Sequence, residues 1–306
     1  ARTIAERLGY PWTFIPFSPE SQRRMFADAD HARMWREADC GTSAPFEQDW
    51  AAIEALKKTG AVPSDAIIVN GNSGDYITGA HAPVPLIDTV APADEDARRE
   101  RVIRAVVKKH FRLWEGLATP GNDAVIKAQL ARDAADAGAD FGVGQALAGV
   151  HEMLEYQDRQ SKYVVSGQRT YEWFGLSWRL PLWDDEIVEF FRNAPMDLKR
   201  GQNLYKRVLM ADNWGGVWRD VPVNAKTIRP RWIVPLRFMA KAAHAPLGPE
   251  AWHRFERRAF VWWTDPLCVS AVVPFSRALA DRRGARHSVA GIADAYPARH
   301  GVTQAH

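Results

Sequence analysis

The stretch that decides the fold is Ala66–His81, which reads AIIVNGNSGDYITGAH. Its first four residues form a short, continuous apolar run, and a polar, glycine-rich loop follows at once. A continuous apolar run is typical of a central strand in a parallel sheet that is covered on both faces. The sequence therefore predicts an α/β protein in which this strand ends at Val69 and carries a loop at its carboxyl end.

The loop Gly71–Asp75, GNSGD, carries the first candidate chemistry. Ligands of open α/β sheets bind beyond the carboxyl ends of the strands. Gly71 and Gly74 have no Cβ, so backbone N–H groups there can point at phosphate oxygens. Asp75 offers the hard oxygen ligand that Mg²⁺ prefers. We predict that Gly71, Asn72, Ser73 and Gly74 bind a nucleotide and that Asp75 binds Mg²⁺; the competing interpretation is a polar loop in which Asp75 caps the next helix.

Upstream of this loop, helical and apolar segments alternate, as in an α/β unit. Residues 1–9, ARTIAERLG, predict a helix that ends at Gly9, and Trp12–Phe17, WTFIPF, predicts a short strand. Further helices are predicted at 18–38 and at Phe46–Lys58. Because the chain opens within a helix and without Met, we expect additional residues upstream of Ala1.

Downstream, the pattern becomes helical. Long helices are predicted at Glu95–Leu117, Asp123–Asp136 and Gly144–Tyr163, and shorter ones at Asp184–Asn193 and Leu204–Asp212. We divide the chain into a partial α/β nucleotide-binding region (1–93), a helical lobe (94–281) and a flexible, polar tail (282–306).

Two later segments are candidates for supporting the loop. Arg179–Asp184, RLPLWD, should be extended because proline biases the preceding residue toward β, and Asp184 or Asp185 then caps a helix. Lys206 lies in NLYKRVL and could project from the polar face of a helix. Taken alone, Asp184 is explained by capping and Lys206 by a solvated side chain.

The order of these segments changes their interpretation. A strand followed by GNSGDYITGAH, then RLPLWDDEIVEF, then NLYKRVL resembles the C-terminal synthetase domain of asparagine synthases and their relatives, the N-type ATP pyrophosphatases. The resemblance covers most of residues 1–215. It implies a HUP-type parallel sheet, of which this chain holds a part, joined to a mainly helical C-terminal lobe.

The resemblance also implies roles for individual residues. Asp75 matches the magnesium-binding Asp of the family, and Lys206 matches the Lys that stabilises the reacting phosphorus and the leaving pyrophosphate. Arg179 and Asp184 match the supporting R-x-P-x-x-D. The implied cofactors are ATP and Mg²⁺, and the implied partners are a carboxylate substrate and ammonia or an amine. The implied reaction is adenylation of the carboxylate followed by amide formation.

Three differences from the family's motifs limit which residue roles the resemblance implies. Asn72 stands where the family has Glu, and Ser177 replaces the Glu that precedes the R-x-P segment. The 306 residues contain no Ser-Gly-Gly-x-Asp-Ser pyrophosphate loop, which we expect upstream. A glutaminase domain is absent too, so a separate glutaminase domain or subunit would have to supply ammonia from glutamine. The alternative function is a degenerate, non-catalytic homologue that binds a partner.

Composition excludes several other classes. A formal charge of +3, from 40 basic and 37 acidic residues, does not favour nucleic acid. The two cysteines, Cys40 and Cys268, form no CxxC or zinc spacing and suit a reducing cytoplasm. No apolar run is long enough to span a bilayer. His81, His110, His151 and His244 show no H-x-x-x-H spacing, so we predict no metal coordination by histidine.

One basic and aromatic segment, Arg229–Trp263, allows two interpretations. It could rest on an anionic membrane surface or an acidic glycan carrier. We favour the other interpretation, a helical lobe in which tryptophans are buried and arginines extend to solvent.

Overall fold

The structure is a computed structural model, and it describes residues 1–37, 43, 49–143, 146–221, 228–264, 272–284 and 289–301. Cys40, Cys268, the start of the helix predicted from Phe46 and the end of the predicted tail, 302–306, lie outside these ranges. The described part of the chain is mostly helical and contains a small parallel sheet.

The described residues form two short strands and a series of helices. The strands are β1 (Ile67–Val69) and β2 (Ser177–Arg179). The α-helices are α1 (Arg2–Leu8), α2 (Pro19–Ala27), α3 (Ala29–Glu37), α4 (Trp50–Lys58), α5 (Gly74–Ile77), α6 (Val84–Asp88), α7 (Glu95–His110), α8 (Pro120–Asp136), α9 (Leu147–Glu155), α10 (Arg169–Trp173), α11 (Asp185–Asn193), α12 (Met196–Lys199), α13 (Asn203–Asp212), α14 (Ile233–His244), α15 (Pro249–Ala259), α16 (Val261–Thr264), α17 (Phe275–Ala280) and α18 (Ala290–Arg299). A π-helix (Tyr156–Val165) continues α9, and 3₁₀ turns include Glu115–Leu117, Pro181–Trp183 and Arg200–Gln202.

Several helix ends are set by the local signals that the sequence shows. Gly9 ends α1 with a φ of 72°, in the left-handed region that favours glycine. Ser18 begins α2, and its hydroxyl and that of Ser21 each accept a hydrogen bond from the other residue's backbone amide. The predicted helices at Asp123–Asp136, Asp184–Asn193 and Leu204–Asp212 are confirmed as α8, α11 and α13. The helix predicted over Glu95–Leu117 is shorter, since α7 ends at His110.

The sheet consists of β1 and β2, which pair in parallel with Val69 opposite Arg179. The prediction that β1 is covered on both faces is wrong. Ile67 is 53% exposed and Val69 is 67% exposed, whereas Ile68 packs against the cluster of Ile53, Tyr171 and Leu176. The short apolar run cannot distinguish a strand covered on one face from a strand covered on both. The side chains on both faces of the strand are apolar in either case.

The strand predicted at Trp12–Phe17 is also wrong. These residues have no regular secondary structure, and Phe14 is 71% exposed. Pro11 and Pro16 have no amide hydrogen to donate to a ladder, and no strand in the described ranges lies beside them. An apolar run flanked by prolines is therefore not sufficient for a strand here.

Two clusters of buried side chains form the main cores. One joins α7, α8 and α9 through residues such as Val102, Val106, Leu130 and Leu154. The other is built around Trp35 and Trp50 and includes Met25, Met34 and Ile292. Each is a contiguous set of apolar side chains removed from water, which is the dominant favourable contribution to folding.

The predicted flexible tail is wrong for residues 290–299. They form α18, and Ile292 is only 6% exposed within the Trp35 cluster. The guanidinium of Arg299 lies over the ring of Trp35, 4.4 Å from its centroid. A few apolar residues in a Gly/Ala-rich segment are enough to dock it. Within the described ranges, every helix is too short or too polar to cross a bilayer.

Candidate functional site

The first two predicted segments meet at the carboxyl edge of the sheet. Because β1 and β2 are parallel, the loops that follow them leave from the same edge. The amide of Asn70 donates to the carbonyl of Arg179 at 3.0 Å. A Cβ on Gly74 would lie 2.3 Å from Leu182 Cδ1, so glycine permits this close approach. The GNSGD loop therefore packs directly on the RLPLWD segment.

The third segment approaches the same region through the residues before Lys206. Gln202 donates through Nε2 to Thr78 Oγ1 at 2.8 Å, and the carbonyl of Lys199 contacts Gly79. Lys206 lies one turn after Gln202 in α13, is half-buried, and donates to the carbonyl of Gly201 at 2.8 Å. The structure thus places the predicted catalytic Lys on a helix whose start packs against the residues that follow the loop, and its ammonium is bonded within its own segment.

The loop itself has an unusual backbone. Ser73 has a φ of 66°, which is uncommon for a residue other than glycine. Its hydroxyl donates to Gln160 Oε1 at 2.9 Å, and both side chains are buried. Two of the predicted phosphate-binding amides have partners inside the loop: Asn72 N donates to Asn70 Oδ1 at 2.8 Å and Gly74 N to the Gly71 carbonyl at 3.3 Å. The Nδ2 donor of Asn72 is buried and has no partner among the described residues.

Asp75, the predicted Mg²⁺ ligand, is hydrogen-bonded by its neighbours and is also exposed to solvent. His81 donates to its Oδ2 at 2.9 Å, and the amide of Tyr76 donates to its Oδ1 at 2.9 Å. The hydrogen bond from His81 holds the pKa of Asp75 below its usual value. The side chain is still 57% exposed. The N-cap of α5 is Ser73, so Asp75 stands in the first turn of this helix. It is an ionised carboxylate that faces solvent.

A buried carboxylate, Glu155, organises the loop from beneath, and sequence reasoning missed it. Its side chain is fully buried and accepts from Lys109 Nζ at 2.8 Å, from Gln160 Nε2 at 3.1 Å and from His81 Nδ1. His81 thus joins Glu155 to Asp75, and Gln160 joins Glu155 to Ser73. The loop is thus linked to one buried negative charge at two residues, Ser73 and Asp75.

The protonation states of this network follow from its contacts. Burial alone would raise the pKa of Glu155, but the adjacent His110 and His81 imidazoles and the charge of Lys109 hold it well below its usual value. Burial would lower the pKa of His81, and the hydrogen bonds with Asp75 and Glu155 outweigh burial and raise it. A charged imidazolium between two carboxylates is the consistent state.

One sequence signal could have revealed Glu155. It stands four residues after His151, so both face the same side of α9, next to an apolar helix stretch. H-x-x-x-E spacing places two polar side chains on one helix face just as H-x-x-x-H does. The π-helix after Glu155, which carries Gln160, is a second signal only visible in the structure, since such helices are rare and frequent at functional sites.

The two predicted supporting residues have local roles. Asp184 is the N-cap of α11, and its Oδ1 accepts from the amide of Glu186 at 3.1 Å, as capping predicts. Arg179 is exposed and donates to the carbonyl of Trp178 at 2.8 Å. Beside them lies an open cavity of about 720 Å³. Among the described residues that line it are Tyr156, Glu172, Trp178, Arg179 and Trp183, but none from the GNSGD loop.

Taken together, the loop at this edge of the sheet offers an exposed, ionised carboxylate and a buried amide donor that no described residue satisfies, and the residue before the lysine-bearing helix α13 contacts Thr78 after the loop. Such groups can hold a cation and hydrogen-bond an anionic ligand. No family model, no curated protein and no solved structure matches this chain.

Proposed function

We propose that the chain is part of an ATP-dependent, amide-forming ligase of the asparagine-synthase type, built on a HUP-type sheet. One observation carries the proposal. Two short segments that are far apart in the sequence, GNSGD and RLPLWD, pack together at the carboxyl edge of the parallel strands, which is where α/β sheets bind ligands, and the residues just before NLYKRVL contact Thr78 and Gly79 after the loop. These are the segments that carry the resemblance to that family.

In this proposal each residue has a defined task. Asp75 holds Mg²⁺, which neutralises charge on the phosphates of ATP. Backbone amides of Gly71–Gly74 and the buried Nδ2 of Asn72 donate to phosphate oxygens, for which the amides of Asn72 and Gly74 leave Asn70 Oδ1 and the Gly71 carbonyl. Lys206 leaves the carbonyl of Gly201 and stabilises the charge that accumulates as the carboxylate attacks the α-phosphorus. Pyrophosphate leaves, and ammonia or an amine then displaces AMP to form the amide.

The test is ATP-dependent release of pyrophosphate, measured for this chain and for the product of the whole reading frame. Lys206→Ala should abolish release and leave the circular dichroism spectrum unchanged. Lys241→Ala, an exposed lysine on α14, is the matched control and should retain full turnover. Unchanged turnover in Lys206→Ala would refute the catalytic assignment. If neither protein releases pyrophosphate with any carboxylate, the alternative of a non-catalytic, partner-binding homologue takes its place.

A second role is favoured by α14. This helix exposes large apolar side chains: Phe238 is 72% exposed, Met239 59% and Leu236 46%. Exposed cations lie on the same segment, among them Arg229, Arg231 and Lys241. Trp252 is buried, as expected for a packed lobe, but Trp232 is 54% exposed. An apolar helix face flanked by cations fits the interface of an anionic membrane.

We therefore propose that α14 contacts an anionic membrane surface. Cosedimentation with vesicles of anionic phospholipid should show binding at low salt that weakens at high salt, because surface charges are screened. Phe238→Ser should reduce binding, whereas Phe190→Ser, which removes a similarly exposed ring from α11, should not. The absence of binding at low salt would end this proposal.

A further inference from the structure

His110, His151 and Glu155 form a cluster that the proposed ligase chemistry does not use. His110 is the last residue of α7, and His151 and Glu155 lie one turn apart on α9, which packs against α7. One donor atom of each residue lies within 4.8 Å of the other two. The two imidazole rings are 6.1 Å apart between centroids and are tilted by only 32°. Three potential ligand atoms therefore converge on one buried point.

The cluster contains buried nitrogens that no described residue satisfies. His151 is completely buried, and neither its Nδ1 nor its Nε2 has a hydrogen-bond partner in the described part of the chain. The same holds for His110 Nε2, which lies 3.7 Å from Glu155 Oε2, too far for a hydrogen bond. Buried polar atoms in proteins are almost always paired, and a bound ion is one explanation for those that are not. Three orphaned nitrogens beside one carboxylate point to a cation.

The chemistry of the donor atoms indicates which ion would fit. His110 and His151 offer imidazole nitrogens and Glu155 offers a carboxylate oxygen, and these atoms lie within 4.8 Å of one another. Two imidazoles and a carboxylate are the donor set of Zn²⁺ sites and of similar transition-metal sites, whereas Mg²⁺ prefers oxygen alone.

We propose that His110, His151 and Glu155 bind a divalent transition-metal ion of the Zn²⁺ type. The metal would replace the contact of Glu155 with Lys109, whose ammonium lies 2.8 Å from Oε2. The other groups that face Glu155 are His81, Arg159 and Gln160. Because His81 also bonds Asp75, an ion bound to Glu155 would restrain His81 and thereby stabilise the GNSGD loop. The ion itself would lie outside the loop.

Lys109 provides the sharpest test, because it is a cation that competes for the same oxygen. Tag-free protein, dialysed against a chelator, should bind about one equivalent of Zn²⁺ in isothermal titration calorimetry. Lys109→Met keeps all three ligands and should bind Zn²⁺ about tenfold more tightly or better, since it removes a repulsive charge from a buried site. Co²⁺ in the same site should give visible absorption bands of a low-coordinate ion, whose intensity reports the ligand set.

Ligand variants complete the experiment. His110→Asn should lose stoichiometric binding and the Co²⁺ bands, while His253→Asn, which removes an exposed histidine from α15, should keep both. Near-ultraviolet circular dichroism shows whether each variant is folded, and Lys109→Met decides the question if His110→Asn does not fold. The proposal is overturned if the wild type binds no Zn²⁺ at micromolar concentration, if folded His110→Asn binds as tightly as the wild type, or if Lys109→Met binds no more tightly.

Discussion

The carbonyl oxygen of Lys199 lies 2.3 Å from the position that a Cβ on Gly79 would occupy. Gly79 also has a φ of 95°, a conformation that side chains with a Cβ rarely adopt. Lys199 is itself fixed, since its buried ammonium donates to Glu152 Oε2 at 2.6 Å. The backbone at the end of α12 therefore lies directly against Gly79, four residues after the GNSGD loop, and the contact leaves no room for a methyl group.

Gly79→Ala should therefore destabilise the protein by about 2 kcal/mol or more, because neither the backbone angle nor the Lys199 carbonyl can adjust freely. Urea denaturation measures the change. Gly121→Ala is the control: Gly121 lies in α8 with open space around its Cβ position, so alanine should be neutral or slightly stabilising there. Equal stability of the two variants would contradict the close contact.

Glu155→Gln should destabilise the chelator-treated protein by about 3 kcal/mol, because it leaves the Lys109 and His81 charges without their buried counterion. Glu189→Gln removes a carboxylate that is 55% exposed and pairs with Arg192, and it should leave stability nearly unchanged. Chemical denaturation of both variants under identical conditions provides the comparison. A small effect of Glu155→Gln would mean that Glu155 is not the anchor of the loop.

Asp184→Ala should lower stability by about 1 kcal/mol, because the amide of Glu186 loses its capping oxygen. Asp184→Asn should retain most of that stability, since asparagine caps helices about as well as aspartate. Pyrophosphate release, where it is observed, should survive both changes. Loss of activity in Asp184→Asn at wild-type stability would give Asp184 a role beyond capping.

Local signals allow much of the helical structure to be predicted. The caps at Ser18 and Asp184 and the left-handed Gly9 depend on a few neighbouring residues, so they are readable without the fold. Which side chains are buried by tertiary packing cannot be predicted from such local signals. Whether Ile67 is buried depends on which elements pack on the sheet, and whether Ile292 is buried depends on the distant Trp35.

The residues of the candidate site likewise fall into those that the sequence could identify and those that it could not. The loop residues Asn72 and Asp75 could be chosen from their chemistry and their position after a strand. For Glu155 the sequence offers only its spacing from His151, which places two polar side chains on one face of α9. Its role as an anchor of the loop could not be predicted, because that role arises from partners contributed by separate segments, such as His81 and Lys109.

The last prediction concerns acid stability and Asp281. Arg283 donates to both carboxylate oxygens of Asp281, and this hydrogen bonding lowers the pKa of Asp281 below its usual value of 3.8. The native state therefore favours the ionised form more than the unfolded chain does. This contribution to stability is fully present above about pH 4 and is lost as the pH falls through the lowered pKa.

Asp281→Asn should consequently be less stable than the wild type at pH 7, and the difference should shrink as the pH falls from about 4 toward 2. Urea denaturation over this range gives the difference directly. Asp133→Asn, which removes a helical carboxylate that accepts a hydrogen bond from the neutral Gln129, should show no such convergence. A stability difference between wild type and Asp281→Asn that stays constant down to about pH 2 would show that the loss comes from packing around Arg283 rather than from the charge of Asp281.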